Sequence, residues 1–345
     1  MGVGQMGSRG SESSEPKGQH FLLSAAARRL SLAQIARLDD DDAYALFCGI
    51  RWCDTEGEPV CPHCGCLAIY RHESRRIFTC KACDKQFSVT SGTIFHSRKM
   101  AVRDLLMAIA IFTNSVKGHS ALHLSRDLNV QYKTAFVLAH KLREALGYET
   151  TTRTASGVVE VDGAYFGGYI KPTNWAENRK DRRLAKNQNG KRRVVVIMRE
   201  RGGRTLPFVV KHEAESVPIL ADRIRPGSVV HADEARSWDP LYYAGLDVLR
   251  IDHTTAYSDG EACTNGAESF FSRLRRAEIG MHHHIAGPYL ADYANEMAWR
   301  EDARRIDAAT QFLLIGLAAL THPPSPRWKG YWQNGPGARQ SATPF

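Results

Sequence analysis

The sequence predicts a multidomain α+β chain: a cysteine-stapled ribbon, a helical domain, and a larger α/β layer built on a mixed sheet. Three observations carry that expectation. Two Cys-x-x-Cys pairs stand fifteen residues apart, at Cys61/Cys64 and Cys80/Cys83. A stretch from Val102 to Leu146 has helical periodicity. From Gly157 onward, apolar β-type runs give way to alternating helical and strand-like segments. A chain of 345 residues with 43% hydrophobic content is long enough for two or three domains with real cores.

Residues 1–30, Gly/Ser/Glu-rich at their start, read as a disordered lead without the apolar core of a signal peptide. No stretch approaches a membrane span of roughly 18 apolar residues, so no membrane partner is expected and the chain reads as cytoplasmic. Residues 31–98 combine a helical element over 31–52, with Leu32, Ile35, Leu38, Ala43, Leu46 and Phe47 in register, and the cysteine segment. Four thiolates at this spacing close a tetrahedral structural Zn²⁺ site with no position left for catalysis. Ile69-Tyr70 and Arg76-Ile77-Phe78-Thr79 between them are strand-like, as a zinc ribbon requires. Cys66 and His63 could compete as ligands, but Cys61 and Cys64 give the regular knuckle; Cys48, Cys53 and Cys263 have no paired partner and read as core or loop thiols. Eight cysteines clustered this way argue for metal rather than disulfides.

Residues 99–150 read as a helix-turn-helix domain. A buried helix around Leu105–Phe112 is followed by a helix, a short polar turn and a second helix starting near Tyr132. That second helix would offer Gln131, Tyr132, Lys133 and Lys141 to DNA; the simpler reading is a three-helix bundle with a basic exterior. The formal charge is +9, and residues 171–204 alone carry twelve Lys/Arg against three acids, so the rest of the chain is neutral. So concentrated a block, including Lys191, Arg192 and Arg193, is a footprint for a polyanion, although charge runs are commonly just solvated.

Residues 155–305 form the third domain. Strands are expected at 157–162, 192–199, 205–211, 227–232 and 246–251, and helices near 216–225, 237–244 and 265–276. Three strands followed by alternating helices and strands is the order of an RNase H-like layer, in which the first and fourth strands are neighbours. Asp162 and Asp233 would each end one of these strands, and Glu268 on the last helix would cross them. Two strand-end aspartates and a helix-borne glutamate suit two Mg²⁺ (or Mn²⁺) ions holding a phosphodiester for in-line attack. Taken singly, such an Asp is more often a turn or cap residue. Residues 306–345 are left as a C-terminal helix and a Pro/Gly-rich tail.

From about residue 31 to 305 the chain resembles insertion-sequence transposases of the DDE superfamily that carry an N-terminal zinc ribbon, the ISXO type. The likeness is carried by Arg51-Trp52, Cys61-Pro-His-Cys64-Gly, Cys80-Lys-Ala-Cys83 through His96, and Ser120-Ala-Leu-His-Leu-Ser-Arg-Asp-Leu. It continues in Val161-Asp162-Gly-Ala-Tyr-Phe-Gly-Gly168, His231-Ala-Asp233-Glu, Asn265-Gly-Ala-Glu268, Gly280-Met-His-His-His and Glu296-Met-Ala-Trp-Arg300. The resemblance implies a DNA transposase that binds the terminal inverted repeats of its element and, with two metal ions, nicks them and joins them to target DNA. It implies Asp162, Asp233 and Glu268 as the catalytic triad, Arg275 as a phosphate contact, and a homo-oligomer on DNA, nucleoid-associated when bound. Some members carry Asn at the third acid, which leaves Asn265 as the alternative to Glu268. Arg275 stands where Lys is commoner, and Asp302 where Asn is expected after Arg300. In the tract His282-His283-His284, family position points to His283 as a contact to the active site or to phosphate, against a plain surface loop. Two other functions remain open at this stage: a non-catalytic DNA-binding regulator derived from a transposase, and a nuclease of the same fold that cuts without joining.

Overall fold

The computed structural model describes residues 21–167, 175–180, 187, 190–251 and 263–333. Most of the expected lead and the last twelve residues lie outside them, as does much of the basic block between 168 and 189. Residues 21–30, assigned to the lead, form two short 3-10 turns at Phe21–Leu23 and Ala26–Arg28, and Leu30 packs on the first core.

The single helix expected over 31–52 is two. α1 (Leu32–Ala36) starts at a capping box on Ser31 and Gln34, and α2 (Asp40–Arg51) starts at Asp39, whose carboxylate accepts from the N–H groups of Asp41 and Asp42 at 2.9 and 2.8 Å. Two N-caps eight residues apart satisfy two sets of free helix donors, so the chain breaks between them. The ribbon follows as β1 (Ile69–His72), β2 (Ile77–Cys80) and β3 (Gln86–Ser88), an antiparallel sheet in that order. β3 was not foreseen; three residues are too few to show an alternation. Its Phe87 pairs with Phe78 of β2 and both are buried beside Trp52.

Helices α3 (Val102–Asn114), α4 (Ala121–Asp127) and α5 (Tyr132–Gly147) come next. Ser120 caps α4 by accepting from His123 N, and the turn to α5 passes through Asn129 at φ 50°. The first core joins side chains of α2, the ribbon, α3 and α5 with Phe312, Ile315, Ala319 and Leu320 of the last helix, α10 (Ala308–Thr321). The C-terminal helix, set apart with the tail by sequence, thus completes the N-terminal core; Ile50 lies 3.1 Å from where a Cβ would stand on Gly316.

The larger sheet holds β4 (Val158–Phe166), β5 (Arg193–Glu200), β6 (Thr205–Val210), β7 (Val229–Asp233) and β8 (Asp247–Ile251) in the order β6-β5-β4-β7-β8. β4 is antiparallel to β5 and parallel to β7, so the first and fourth strands are side by side. Successive side chains of a strand face opposite ways, and two cores result. Val159 and Val161 join Val230 and Ala232 under α6 (Val217–Arg223) and α7 (Pro240–Tyr243). Ala164 and Phe166 pack under α8 (Asn265–Ala277) and α9 (Leu290–Asp302) on the other face. The helix expected at 237–244 is shorter than foreseen, a 3-10 turn at Arg236–Trp238 and then α7. Among the described residues, no helix is long and apolar enough to cross a membrane.

Candidate active site and metal centre

The four cysteines meet. Their sulfurs lie within 4.8 Å of one another, with Cys61 Sγ 3.7 Å from Cys83 Sγ and Cys64 Sγ 3.6 Å from Cys80 Sγ. Ligands about 2.3 Å from a tetrahedral zinc are about 3.8 Å apart, so the spacing fits that ion. Each knuckle turns back through a left-handed residue directly after its second cysteine, Gly65 at φ 73° and Asp84 at φ 55°. Cys66 stays outside the cluster, its sulfur 3.3 Å from Ala68 N.

The acids come from the centre of the larger sheet. Asp162 is not at the end of its strand, as expected: β4 continues to Phe166 because β5 pairs with it along that whole length. It does stand one step beyond Val161↔Ala232, the last pair of the parallel β4–β7 ladder, and Asp233 is the last residue of β7. The two aspartates are therefore neighbours across adjacent strands. Glu268 lies in the first turn of α8, which is fixed over the same face by Glu160. That buried carboxylate, two residues before Asp162 on β4, accepts from Ala267 N at 3.0 Å, and its Oε2 is 2.7 Å from where a Cβ on Gly266 would be. A negative charge at a helix N-terminus is favourable, and only glycine lets the helix approach so closely. Arg199 adds a hydrogen bond to Gly266 O at 2.9 Å.

Burial pushes the Asp162 carboxyl up to about 7, and the nearby charges of Asp233, Glu213 and Glu268 push the same way. Asp233 Oδ1 accepts from Trp238 Nε1 at 2.6 Å and from Ala235 N at 3.2 Å. Among the described residues, neither aspartate forms an ion pair within 4.0 Å. Carboxylate oxygens brought together in this way suit a hard divalent ion. The acids nonetheless stand wider apart than the thiolates: among the described residues, only the cysteines form a group of three or more with ligand atoms all within 4.8 Å.

Glu213 was not foreseen. It opens a 3-10 turn after β6, accepts from Ser237 Oγ at 3.0 Å, and its Oε1 is 2.9 Å from where a Cβ on Gly163 would stand. The available signal was the glycine itself, which interrupts an apolar strand directly after Asp162.

The remaining residues divide. Arg275 is exposed two turns beyond Glu268, its guanidinium 5.4 Å from the Phe166 ring centroid. Asn265 is exposed at the first position of α8. Lys191, Arg192 and Arg193 enter β5 beside the far end of β4, where Phe166 pairs with Arg193 and Arg192 stacks on Tyr165 at 4.6 Å. Phe166 lies four steps along the strand from Asp162, roughly 13 Å. His283 is exposed and left-handed at φ 57°, whereas His282 is the packed member of the tract, held near pKa 4 by burial and by Arg143. Asp302 accepts from Thr205 N and Thr205 Oγ1 at 3.0 and 2.8 Å and ties α9 to β6.

In the helical domain Gln131, Tyr132 and Lys133 are exposed at the start of α5, but Lys141 is not an open surface residue: it lies in a cleft, and burial lowers its pKa. Much of α5 is covered. His140 pairs with Asp292 at 2.9 Å and Arg143 with Glu296 at 2.6 Å, both partners on α9, and Arg300 closes on Glu296 at 2.9 Å.

The chain thus joins a four-cysteine ribbon and a helical domain to a mixed sheet that brings acidic residues together. Comparison makes it particular. Residues 154–302 match an ISXO2-like transposase domain and residues 38–86 a transposase zinc-ribbon domain, which together span more than half of the chain. The chain belongs to this family of insertion-sequence transposases. It is 26% identical over 275 residues, 76% of its own length and 91% of the relative's, to an uncharacterized protein in transposable element ISH50 of Halobacterium salinarum. It is also 26% identical over 100 residues, 29% of this chain and 80% of the relative, to an uncharacterized transposase-like protein of Haemophilus influenzae. No solved structure matches it.

Proposed function

We propose that the chain binds the ends of its insertion sequence and catalyses their cleavage and strand transfer at an RNase H-like site formed by Asp162, Asp233 and Glu268. One observation carries this reading: Asp162 and Asp233 stand side by side on the parallel β4–β7 pair, and the charge of Glu268 reaches Asp162 from α8. Glu268 is favoured over Asn265 as the third residue for the same reason. When bound by these carboxylates, two Mg²⁺ or Mn²⁺ ions would supply Lewis-acid activation of the attacking oxygen and stabilisation of the leaving one. The protein's own part is positional. Glu160 and Gly266 hold α8 so that Glu268 faces the aspartates, and Trp238 and Ala235 orient Asp233 through Oδ1. Arg275 offers a guanidinium to a phosphate, and Lys191, Arg192 and Arg193 extend a basic track along the end of β4 and β5. The exposed start of α5, with Gln131, Tyr132 and Lys133, is the end of a recognition helix that reads a groove. The ribbon is a structural zinc module.

The test is a strand-transfer assay with linear element ends and Mg²⁺. Wild-type protein should cut and join, and Asp162→Asn or Asp233→Asn should each abolish both while retaining DNA affinity. Cutting without joining would favour the nuclease. Wild-type rates in either variant would contradict the reading and favour the regulator.

A further inference from the structure

A cleft of about 510 Å³ opens where three separate segments meet: the chain leaving the ribbon, the start of α5, and the residues that follow α10. It lies outside both matched family segments, 38–86 and 154–302. Its lining is chemically one-sided. Arg98, Lys99, Lys133 and Lys141 contribute four cations, and among the described residues no Asp or Glu lines it. The third wall is aromatic. Trp332 donates its indole N–H to Lys133 O at 3.2 Å, and Lys133 Nζ lies 5.4 Å from its ring centroid. Trp328 also lines the cleft, 2% exposed, and its indole N–H is buried without a hydrogen-bond partner. An unmet buried donor costs stability unless a ligand or water accepts from it.

Cations without a carboxylate select an anion, and a partly exposed indole beside them selects a flat ring. The volume falls in the range of small-ligand pockets, roughly 300–1,000 Å³. A base reaches an aromatic face only when it is unstacked, so the ring selected is one from an unpaired strand. We propose that this cleft holds one unpaired deoxynucleotide of a DNA strand, its phosphate among Arg98, Lys99, Lys133 and Lys141 and its base against Trp332. The proposal rests on the reading of the chain as a DNA-acting protein, and adds a strand-capturing site remote from the carboxylates.

The experiment uses the full chain without added Mg²⁺ and a trinucleotide carrying 2-aminopurine, too short to span a helix-turn-helix half-site. Saturable quenching of the probe is expected, weakened about tenfold by Trp332→Ala, as the loss of one stacked base implies, and kept by Trp332→Phe. Arg98→Ala/Lys99→Ala should weaken binding and flatten its salt dependence. Thermal unfolding of each variant confirms that it is folded. No saturable quenching overturns the proposal. So does equal binding by folded Trp332→Ala, or equal competition from a stable hairpin duplex that holds the same three bases paired in its stem. Because no cleavage is read, trinucleotide binding without strand transfer would sink the enzyme reading and leave this site standing. Strand transfer without trinucleotide binding would do the reverse.

Discussion

The thiolate cluster and the carboxylate cluster are both candidate metal sites, and they are built in opposite ways. The thiolates come from one segment of 23 residues, Cys61 to Cys83, and two local turns bring them together. The carboxylates come from β4, β7 and α8, and only the register of a five-stranded sheet and one helix cap makes them neighbours. Soft ligands on a short loop close around a structural ion and are left nothing else to do. Carboxylates carried on separate elements remain farther apart and leave space between them. The ribbon should therefore depend on its metal for folding, and the carboxylate site should be folded without its metal and strained by its own charge.

Zinc removal has the largest expected effect. Binding to such a site contributes roughly 10–16 kcal/mol in isolated fingers, so chelation should release hydrogen-exchange protection across residues 55–95 while β4 to β8 keep theirs. Purified protein without near-stoichiometric zinc would break the comparison on the thiolate side.

The carboxylate site has a scaffold that can be removed on its own. Glu160→Ala takes away a buried charged acceptor for the first turn of α8 and leaves Arg201 without the carboxylate it meets at 3.4 Å. A loss of roughly 1.5–3 kcal/mol in chemical denaturation is expected, with reduced cleavage and unchanged zinc content. Unchanged cleavage would mean that Glu268 does not depend on how α8 is seated.

Burial of Asp162, with the neighbouring acids adding to it, gives a shift that depends on pH. The Asp162 carboxyl is raised from 3.8 to about 7 in the folded chain. Well below 3.8, near pH 2, it is neutral in both the folded and unfolded states and contributes nothing. As pH climbs from about 4 through 7 the unfolded chain ionises first, and stability is lost. Asp162→Asn removes that loss. It should stabilise metal-free protein at pH 8, by at most about 4 kcal/mol, and leave it unchanged near pH 2. A variant no more stable at pH 8 would show that neither burial nor the neighbouring acids disfavour the charge on Asp162.

What could be read in advance follows the same division. Cys61, Cys64, Cys80 and Cys83 were legible because their geometry is local. The five strands of the larger sheet were legible because alternation and turn residues mark them, and with them the positions of Asp162 and Asp233. Glu160 and Glu213 were not. Glu160 reads as one polar residue in an apolar strand, and Glu213 as one acid in the run Lys211-His212-Glu213-Ala214-Glu215. Their partners, Ala267 and Ser237, lie 107 and 24 residues away. The glycines that make room for them, Gly266 and Gly163, look like ordinary turn residues until the fold places a carboxylate where each Cβ would be. The covering of α5 was equally hidden, since it is made by α9 and by the residues after α10, more than 140 positions downstream.

The most direct measurement is a Mn²⁺ titration of zinc-loaded protein, followed by electron paramagnetic resonance or calorimetry in the absence of DNA. The wild-type chain and Asn265→Ala should bind Mn²⁺ alike. Asp162→Asn should lose binding, and Glu268→Gln should weaken it, each with the zinc content intact. Mn²⁺ binding that is unchanged in Asp162→Asn and Glu268→Gln, or lost only in Asn265→Ala, would contradict the assignment of these three carboxylates to one metal-dependent site.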